Sequence, residues 1–385
     1  MVHWGADYIR ELLPDDVFER LRDAVTDPWI EVEPGKHDER PVWNGKTGEV
    51  YVWIKSVVFR RYSRKRLCRI LSEGVDVRYE KDLVDIRTEE AGGVQAIFAD
   101  GSIEEGDVLL GADSANSRVR SWLFDDDPSA KCSDLPMIVY NFPAKYSNAA
   151  LARRIRDHPH PLMKVSTHPD HRTWYVIAPL EVTDLEKPED WTFQHFLTQW
   201  TEDAIPGRDA AERLAHFKSI GATYAEPFRS ATSEIDDSTF VPHDRLKYWA
   251  APKLWDNRQG RVTLAGDAAH PFPPHRAQGL NNGIQDAANF VKAITEATDA
   301  RSEGDFAAAL RAYDEEVFER GAKEIATSVK QAYDATRMSE FANSTVVTHG
   351  HRPLPKETSP AQNIGSEGKA PTWKGSNASY IHYAR

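Results

Sequence analysis

A strand that ends in Gly-Asp and leads, through a proline-rich loop, into a long helix places the strongest constraint on this chain. Residues 261–265 form a short apolar run that predicts the strand, and Gly266 and Asp267 follow it directly. Cofactors in α/β proteins bind at the carboxyl ends of strands, and glycine lets the backbone approach a ligand closely. The loop contains Pro274, and the helix that begins at residues 279–281 turns its free N–H groups and positive dipole end to the same place. The segment therefore predicts a ligand cleft at the mouth of the strand.

A second segment has a similar predicted order of strand, turn and helix. Residues 107–111 read as an apolar strand that is followed by a polar turn and the start of a helix, and Asp113 lies in the turn. We expect Asp113, Asp267 and the beginning of the helix near residue 280 to share one cleft.

A third segment, residues 64–72, has the pattern Arg-x-x-Leu-x-x-x-Leu and predicts an amphipathic helix. Taken in this order, the three segments resemble the motifs of FAD-dependent aromatic hydroxylases, the single-component flavoprotein monooxygenases. The resemblance covers about residues 1–340. It implies an FAD site that contains Arg64, Asp113, Gly266, Asp267, Pro274, Gly279, Leu280 and Asn281.

The resemblance also implies a reaction. NAD(P)H would supply electrons to FAD, and dioxygen would be the oxidant that hydroxylates a small aromatic or similar organic substrate; no side chain is predicted to act as a catalytic acid or base. Ser114 and Ala277 stand where the family usually has glycine. A positive φ would cost Ser114 more than glycine, and the methyl group of Ala277 would alter the loop that faces the flavin. A flavin oxidase or dehydrogenase and a homologue without activity remain alternatives.

The fold class that follows is α/β, with an incomplete doubly wound FAD-binding domain and an inserted α+β substrate domain that carries an antiparallel sheet. The family opens with Gly-x-Gly-x-x-Gly inside a βαβ unit of ~30 residues, and no such run occurs in the 385 residues. We therefore expect the first βαβ unit to be missing, as in a truncated or degenerate copy. Hydrogen bonds to the FAD pyrophosphate would then be lost, at a cost on the order of 5 kcal/mol.

The predicted domain boundaries follow changes in composition and hydrophobic pattern along the chain. Residues 1–130 form the first part of the FAD-binding domain, residues 131–250 the substrate domain, and residues 251–345 the return to the FAD-binding domain with its C-terminal helices. Residues 346–385 are rich in Pro, Gly, Ser and Lys without periodicity and predict a disordered tail. Predicted helices cover residues 8–13, 16–25, 191–200 and 209–217. Predicted strands cover residues 42–45, 50–54, 75–79, 83–88, 94–98, 137–142 and 173–180.

Composition excludes several classes of protein. The net charge of −12, from 48 basic and 60 acidic residues, disfavours nucleic acid and anionic membranes as partners. No run of ~18 apolar residues occurs, so membrane insertion is not expected. The two cysteines suit a reducing compartment, and a cytoplasmic location is the default expectation.

Histidines give no sign of a metal site. His158, His160, His168 and His171 lie among prolines at irregular spacing without cysteine, and we expect a solvated loop there. His270 and His275 flank the loop after Asp267, where packing or hydrogen bonding is the simplest role.

Overall fold

The computed structural model describes residues 1–32, 37–55, 59–89, 92–157, 160–201, 209–298 and 303–354. Its helices are α1 (Ala6–Leu12), α2 (Asp15–Arg20), α3 (Arg64–Leu71), α4 (Arg118–Leu123), α5 (Ala149–Asp157), α6 (Ala210–Gly221), α7 (Phe228–Ser233), α8 (Gly279–Thr298), α9 (Glu303–Ala335), α10 (Met338–Phe341) and α11 (Thr345–His349). Its strands are β1 (Glu39–Asn44), β2 (Val50–Lys55), β3 (Leu83–Thr88), β4 (Val94–Phe98), β5 (Ile103–Gly106), β6 (Leu109–Gly111), β7 (Ser133–Asp134), β8 (Met137–Ala144), β9 (Lys164–His168), β10 (Thr173–Glu181), β11 (Thr192–Trp200), β12 (Lys247–Tyr248) and β13 (Val262–Leu264).

The largest sheet has six strands in the order β2-β1-β9-β10-β11-β8. All neighbours are antiparallel except β1 and β9, which are parallel, so the sheet that we expected to be antiparallel is mixed. The hairpin β1-β2 forms as predicted. The hairpin extends the sheet although it lies outside residues 131–250, the predicted substrate domain.

The helix predicted over residues 191–200 is wrong, because these residues form β11, an interior strand of the sheet. Alternate side chains are buried along its first half, as in Phe193, His195 and Leu197. Both edges of the strand are paired, one with β10 and the other with β8. Strand periodicity and two hydrogen-bonded neighbours therefore override the helix-like spacing of its aromatic residues.

The strand predicted over residues 75–79 is also wrong. Among the described residues no strand pairs with this segment, and Val75, Val77 and Tyr79 are exposed. A β segment without a neighbour leaves its backbone groups to water and gains nothing from cross-strand contacts.

A large aromatic core lies between the six-stranded sheet and the helices α5–α7. Tyr140, Tyr175 and Phe193 from the sheet are in the same buried cluster as Phe217 of α6 and Phe228 of α7. The predicted helix near residue 209 is confirmed as α6, and Asp209 and Glu212 form a reciprocal capping box at its start.

The second part of the fold positions the candidate cleft. Strand β13 pairs in parallel with β6, and Leu264 lies opposite Gly111. A separate buried core joins these strands to α4 and α9 through Val119, Leu264 and Val317. The strands before Asp113 and Asp267 and the long helix after the proline-rich loop are therefore present as the sequence predicts.

The disordered tail predicted from residue 346 begins too early. Val346 and His351 are buried, and the Val346 N–H donates to Gln331 Oε1 at 2.9 Å. These contacts order α11 against α9, and residues 355–385 lie outside the described part of the chain. No helix in the described part is both long and apolar enough to cross a membrane.

Gly111 offers a test of how closely α4 packs on the parallel pair. A Cβ at this position would lie 2.6 Å from Val119 Cβ and 2.9 Å from Leu264 Cδ2. We expect Gly111→Ala to lower the free energy of unfolding by about 1–3 kcal/mol through overpacking, as measured by urea denaturation. Gly106→Ala is the matched control, because the nearest atom to its Cβ is 3.9 Å away. Equal losses in the two variants would contradict this packing.

Candidate functional site

Two turns leave the same edge of the parallel pair β6-β13. Asp113 comes two residues after β6, and Asp267 comes three residues after β13. The buried guanidinium of Arg120 joins the turns, because its Nη1 donates to Ala268 O at 2.6 Å and its Nη2 donates to Ala115 O. Arg120 therefore ties together the two turns that carry the acidic residues singled out by the sequence.

The turn at Gly266 leaves open space beside Asp267. Gly266 has φ +59, and a Cβ built on it would meet nothing within 4 Å. The Asp267 side chain is exposed, and its carboxylate accepts no hydrogen bond from any described residue. Desolvation by the surrounding protein nevertheless raises the pKa of Asp267, and His270 and Arg64 counteract that shift. Asp267 is thus an unengaged acceptor at the edge of an open space.

The N-terminus of α8 faces the same turn. A Cβ built on Gly283, in the first turns of α8, would lie 3.8 Å from Gly266 Cα. Within the described chain, the backbone N–H groups at the helix start donate no hydrogen bond; these belong to Gly279, Leu280 and Asn281. The first N–H groups of a helix have no internal partner and carry its positive dipole end. They can therefore bind an acceptor or stabilise negative charge in the cleft.

A buried carboxylate fixes this turn to α8. Asp286 Oδ2 accepts the Gly266 N–H at 2.7 Å and lies 2.8 Å from His270 Nε2, while Asp286 Oδ1 accepts from Arg320 Nη2 at 2.6 Å. Burial alone raises the pKa of Asp286, but His270 and Arg320 outweigh this effect and lower it to about 2. No sequence pattern predicts this network, although it agrees with the hydrogen-bonding role expected for His270.

The remaining predicted residues have different surroundings. Arg64 is exposed on the first turn of α3, and Pro274 is exposed in the loop. Asp113 Oδ2 accepts hydrogen bonds from Arg118 N at 2.7 Å and Val119 N at 3.2 Å, so its carboxylate also binds the first N–H groups of α4.

Asn281 turns its side chain away from the cleft. Its Oδ1 accepts the N–H groups of His3 at 3.0 Å and Gly5 at 3.1 Å, and its Nδ2 donates to Ala277 O at 3.1 Å. Only its backbone N–H is left for a ligand. The side chain instead fastens the first residues of the chain to the loop.

Ser114 and Ala277 both adopt left-handed backbone conformations. Their φ values are 73 and 54, respectively. Each costs roughly 1–2 kcal/mol relative to the right-handed region. Ser114 therefore has the conformational cost that the sequence predicts, and Ala277 has a similar conformational cost.

The solvated loop expected around four histidines is wrong for two of them. His160 and His168 are only 4% and 1% exposed, and His168 ends β9. Burial lowers the pKa of His160 to about 3. His158 lies outside the described residues. Nowhere in the described ranges do three or more His, Cys, Asp or Glu side chains form a group that could hold a metal ion.

Comparisons with known proteins place these features in a family context. Residues 236–327 match the model named FAD binding domain. The chain is 30% identical over 355 residues to the FAD-dependent monooxygenase phnB of Penicillium herquei, covering 92% of this chain and 85% of that protein. It is 29% identical over 357 residues to the FAD-dependent monooxygenase cctM of Talaromyces islandicus, covering 91% and 85%.

A solved structure shares the fold. The structure of Klebsiella pneumoniae HpxO complexed with FAD and uric acid superimposes with a TM-score of 0.66 at 19% identity and covers 94% of this chain and 83% of that one. The likeness extends over both the six-stranded sheet and the parallel pair, since nearly the whole chain is covered.

Asp286 gives the site a measurable pH dependence. Its folded pKa of about 2 lies below its ordinary value of 3.8, so its stabilisation is complete above pH 4 and is lost as the pH falls towards 2. Asp286→Asn should lose roughly 3 kcal/mol of unfolding free energy at pH 7, because buried partners are left unpaired. The difference from the wild type should shrink by about 2 kcal/mol between pH 4 and pH 2, measured by urea denaturation.

Asp256→Asn is the control for this measurement, because Asp256 is an exposed surface residue. It should change the unfolding free energy by less than about 0.5 kcal/mol. A gap between Asp286→Asn and the wild type that stays constant down to pH 2 would show that Asp286 is not held ionised as described.

Proposed function

Because the chain belongs to the family of FAD-dependent monooxygenases, we propose that it uses NAD(P)H and dioxygen to hydroxylate an aromatic or similar small organic compound. The protein is an oxidoreductase and its cofactor is FAD. The unengaged carboxylate of Asp267, beside the open turn at Gly266 and the free N–H groups of α8, carries the proposal.

These groups fit the chemistry of FAD. The ribityl chain of FAD has hydroxyl groups that can donate to a free carboxylate, and Asp267 would accept from one of them. The pyrimidine end of the flavin gains negative charge on reduction, and the N–H groups of Gly279 and Leu280 would stabilise it. We assign Arg64, Asp113, Gly266 and Pro274 to the edges of the same site.

When bound, FAD supplies the electron transfer and the activation of dioxygen. The chain must orient the ring and keep water from it. His275 holds the proline-rich loop against the sheet, because its Nε2 lies 2.9 Å from Thr198 Oγ1 and its ring is 6.0 Å from the Phe196 ring. The face of the sheet that bears Phe196 would then close one side of the reaction space.

The middle of the chain would provide the substrate contacts. We propose residues 131–250 as the substrate domain, together with the hairpin β1-β2 that completes its sheet. Uric acid in the HpxO complex is a small, flat, electron-rich ring, which supports an aromatic or similar substrate here.

Loss of Asp267 should weaken flavin binding. A hydrogen bond to a charged group contributes roughly 1.5–3 kcal/mol, so Asp267→Ala should raise the dissociation constant for FAD by about 10–100-fold. Flavin fluorescence quenching on titration of the purified protein measures this constant. Asp256→Ala removes an exposed aspartate away from the cleft and should bind FAD as the wild type does. If both variants bind FAD equally well, Asp267 does not contact the cofactor.

Oxygen insertion separates the proposed reaction from that of a flavin oxidase or dehydrogenase. With isotopically labelled dioxygen and NADH or NADPH, the hydroxylated product should carry one labelled oxygen atom, detected by mass spectrometry. Label found only in hydrogen peroxide or water, with an oxidised product, would favour the oxidase or dehydrogenase. A purified protein that takes up no FAD would favour a homologue without activity.

A further inference from the structure

Two arginines, Arg40 and Arg61, have no carboxylate partner among the described residues. Arg40 is 3% exposed; its Nη1 donates to Met163 Sδ at 2.9 Å and its Nη2 contacts His351 Nε2. Arg61 is partly buried and donates from Nη2 to Gln194 Oε1 at 2.9 Å. The Nε atoms of both are buried and have no partner among the described residues. Neither guanidinium meets an Asp or Glu of the described chain.

Other buried arginines of the chain are neutralised or fully engaged. Arg276 pairs with Glu324, and Arg156 pairs with Asp27. Arg120 donates to several backbone carbonyl groups. Arg40 and Arg61 differ, because burial lowers the pKa of each to about 10 and no acid of the described residues counteracts the shift. Buried charges are normally paired, so two such cations side by side indicate room for an anion.

The two arginines border the face of the sheet that meets the proline-rich loop. Gln194, the partner of Arg61, precedes Thr198 by four residues on β11, a distance of about 13 Å along a strand. Thr198 contacts His275 of the loop. On the other side, His351 contacts Arg40 and lies 2.9 Å from Arg276 O through its Nδ1.

Apolar surface is available beside these charges. Arg61 lines a cleft of about 240 Å³ together with Ile30, Val32 and Leu162. The guanidinium of Arg40 lies 5.5 Å from the centre of the Phe59 ring. Two acids and two further cations also line the cleft: Arg156 neutralises Asp27 at 2.7 Å, Asp23 lies 3.9 Å from Arg22, and Arg60 adds another positive charge.

We propose that Arg40 and Arg61 bind the carboxylate of an aromatic acid, and that this acid belongs to the substrate class of the enzyme. The inference rests on the proposed function, since it places the substrate's ring between the arginines and the loop. Guanidinium groups match a carboxylate in geometry and charge, and the apolar walls suit an aromatic ring.

Binding of two ligands of similar shape, one charged and one neutral, tests the role of the two arginines. The probes are 2-naphthoate and 2-naphthamide, which have nearly the same shape and differ in charge, titrated calorimetrically into the purified full chain. The wild type should bind the acid about tenfold more tightly than the amide or better. Arg61→Gln should weaken binding of the acid by about tenfold or more and leave the amide within about twofold.

Arg69→Gln is the matched control, because it removes an exposed arginine from the neighbouring helix α3. It should change neither constant. If Arg61→Gln fails to fold by circular dichroism, Arg61→Lys keeps the charge and should retain part of the preference for the acid. Equal binding of acid and amide to the wild type, or an equal loss in Arg69→Gln, overturns the proposal, as does tighter binding of inorganic phosphate than of 2-naphthoate.

Flavin content, read from the visible spectrum of the same samples, keeps the two proposals apart. Preference for the acid in a protein that cannot bind FAD would support the arginine pair and count against the proposed function. Bound FAD without preference for the acid would overturn the arginine pair alone.

Discussion

The buried carboxylate of Asp286 is the contact on which the site depends. It accepts the Gly266 N–H and faces His270 and Arg320 at once, so the turn after β13, the helix α8 and the helix α9 are fixed to one another. A buried carboxylate is costly unless it is paired and hydrogen-bonded, and here the Gly266 N–H and Arg320 donate to it while His270 contacts it. This arrangement leaves Asp267, which follows Gly266 in the chain, exposed, and its carboxylate accepts no hydrogen bond from the described residues.

Strain around the cleft has a similar explanation. Ala277 keeps a left-handed conformation because both sides of its peptide are held: its N–H donates to Pro274 O at 2.8 Å, and its carbonyl accepts from Asn281 Nδ2 at 3.1 Å. Strained residues persist where the surrounding contacts over-determine them, and they gather at functional sites. The loop therefore presents a fixed surface, held by these local contacts and by two contacts distant in sequence, from His3 to Ala277 O and from Thr198 to His275.

Local signals explain which parts of the fold could be predicted from the sequence. The strands before Asp113 and Asp267 and the helices α6 and α8 follow from patterns within a few residues. The strand β11 could not be assigned in this way, because its identity depends on two partners far along the chain. The same holds for Arg120 and Arg320, whose roles arise from contacts across 148 and 34 residues. The family resemblance supplied the order of the motifs, and the structure supplied the bonds between them.

Hydrogen exchange of the backbone amides, with and without FAD, tests the central claim most directly. If the cleft between the two turns and α8 receives the flavin, FAD should slow exchange in a peptide that contains residues 279–281, whose N–H groups are free in the described chain. The surface strands β3-β5 should exchange at unchanged rates. Protection that leaves residues 279–281 unaffected and appears elsewhere would contradict the account.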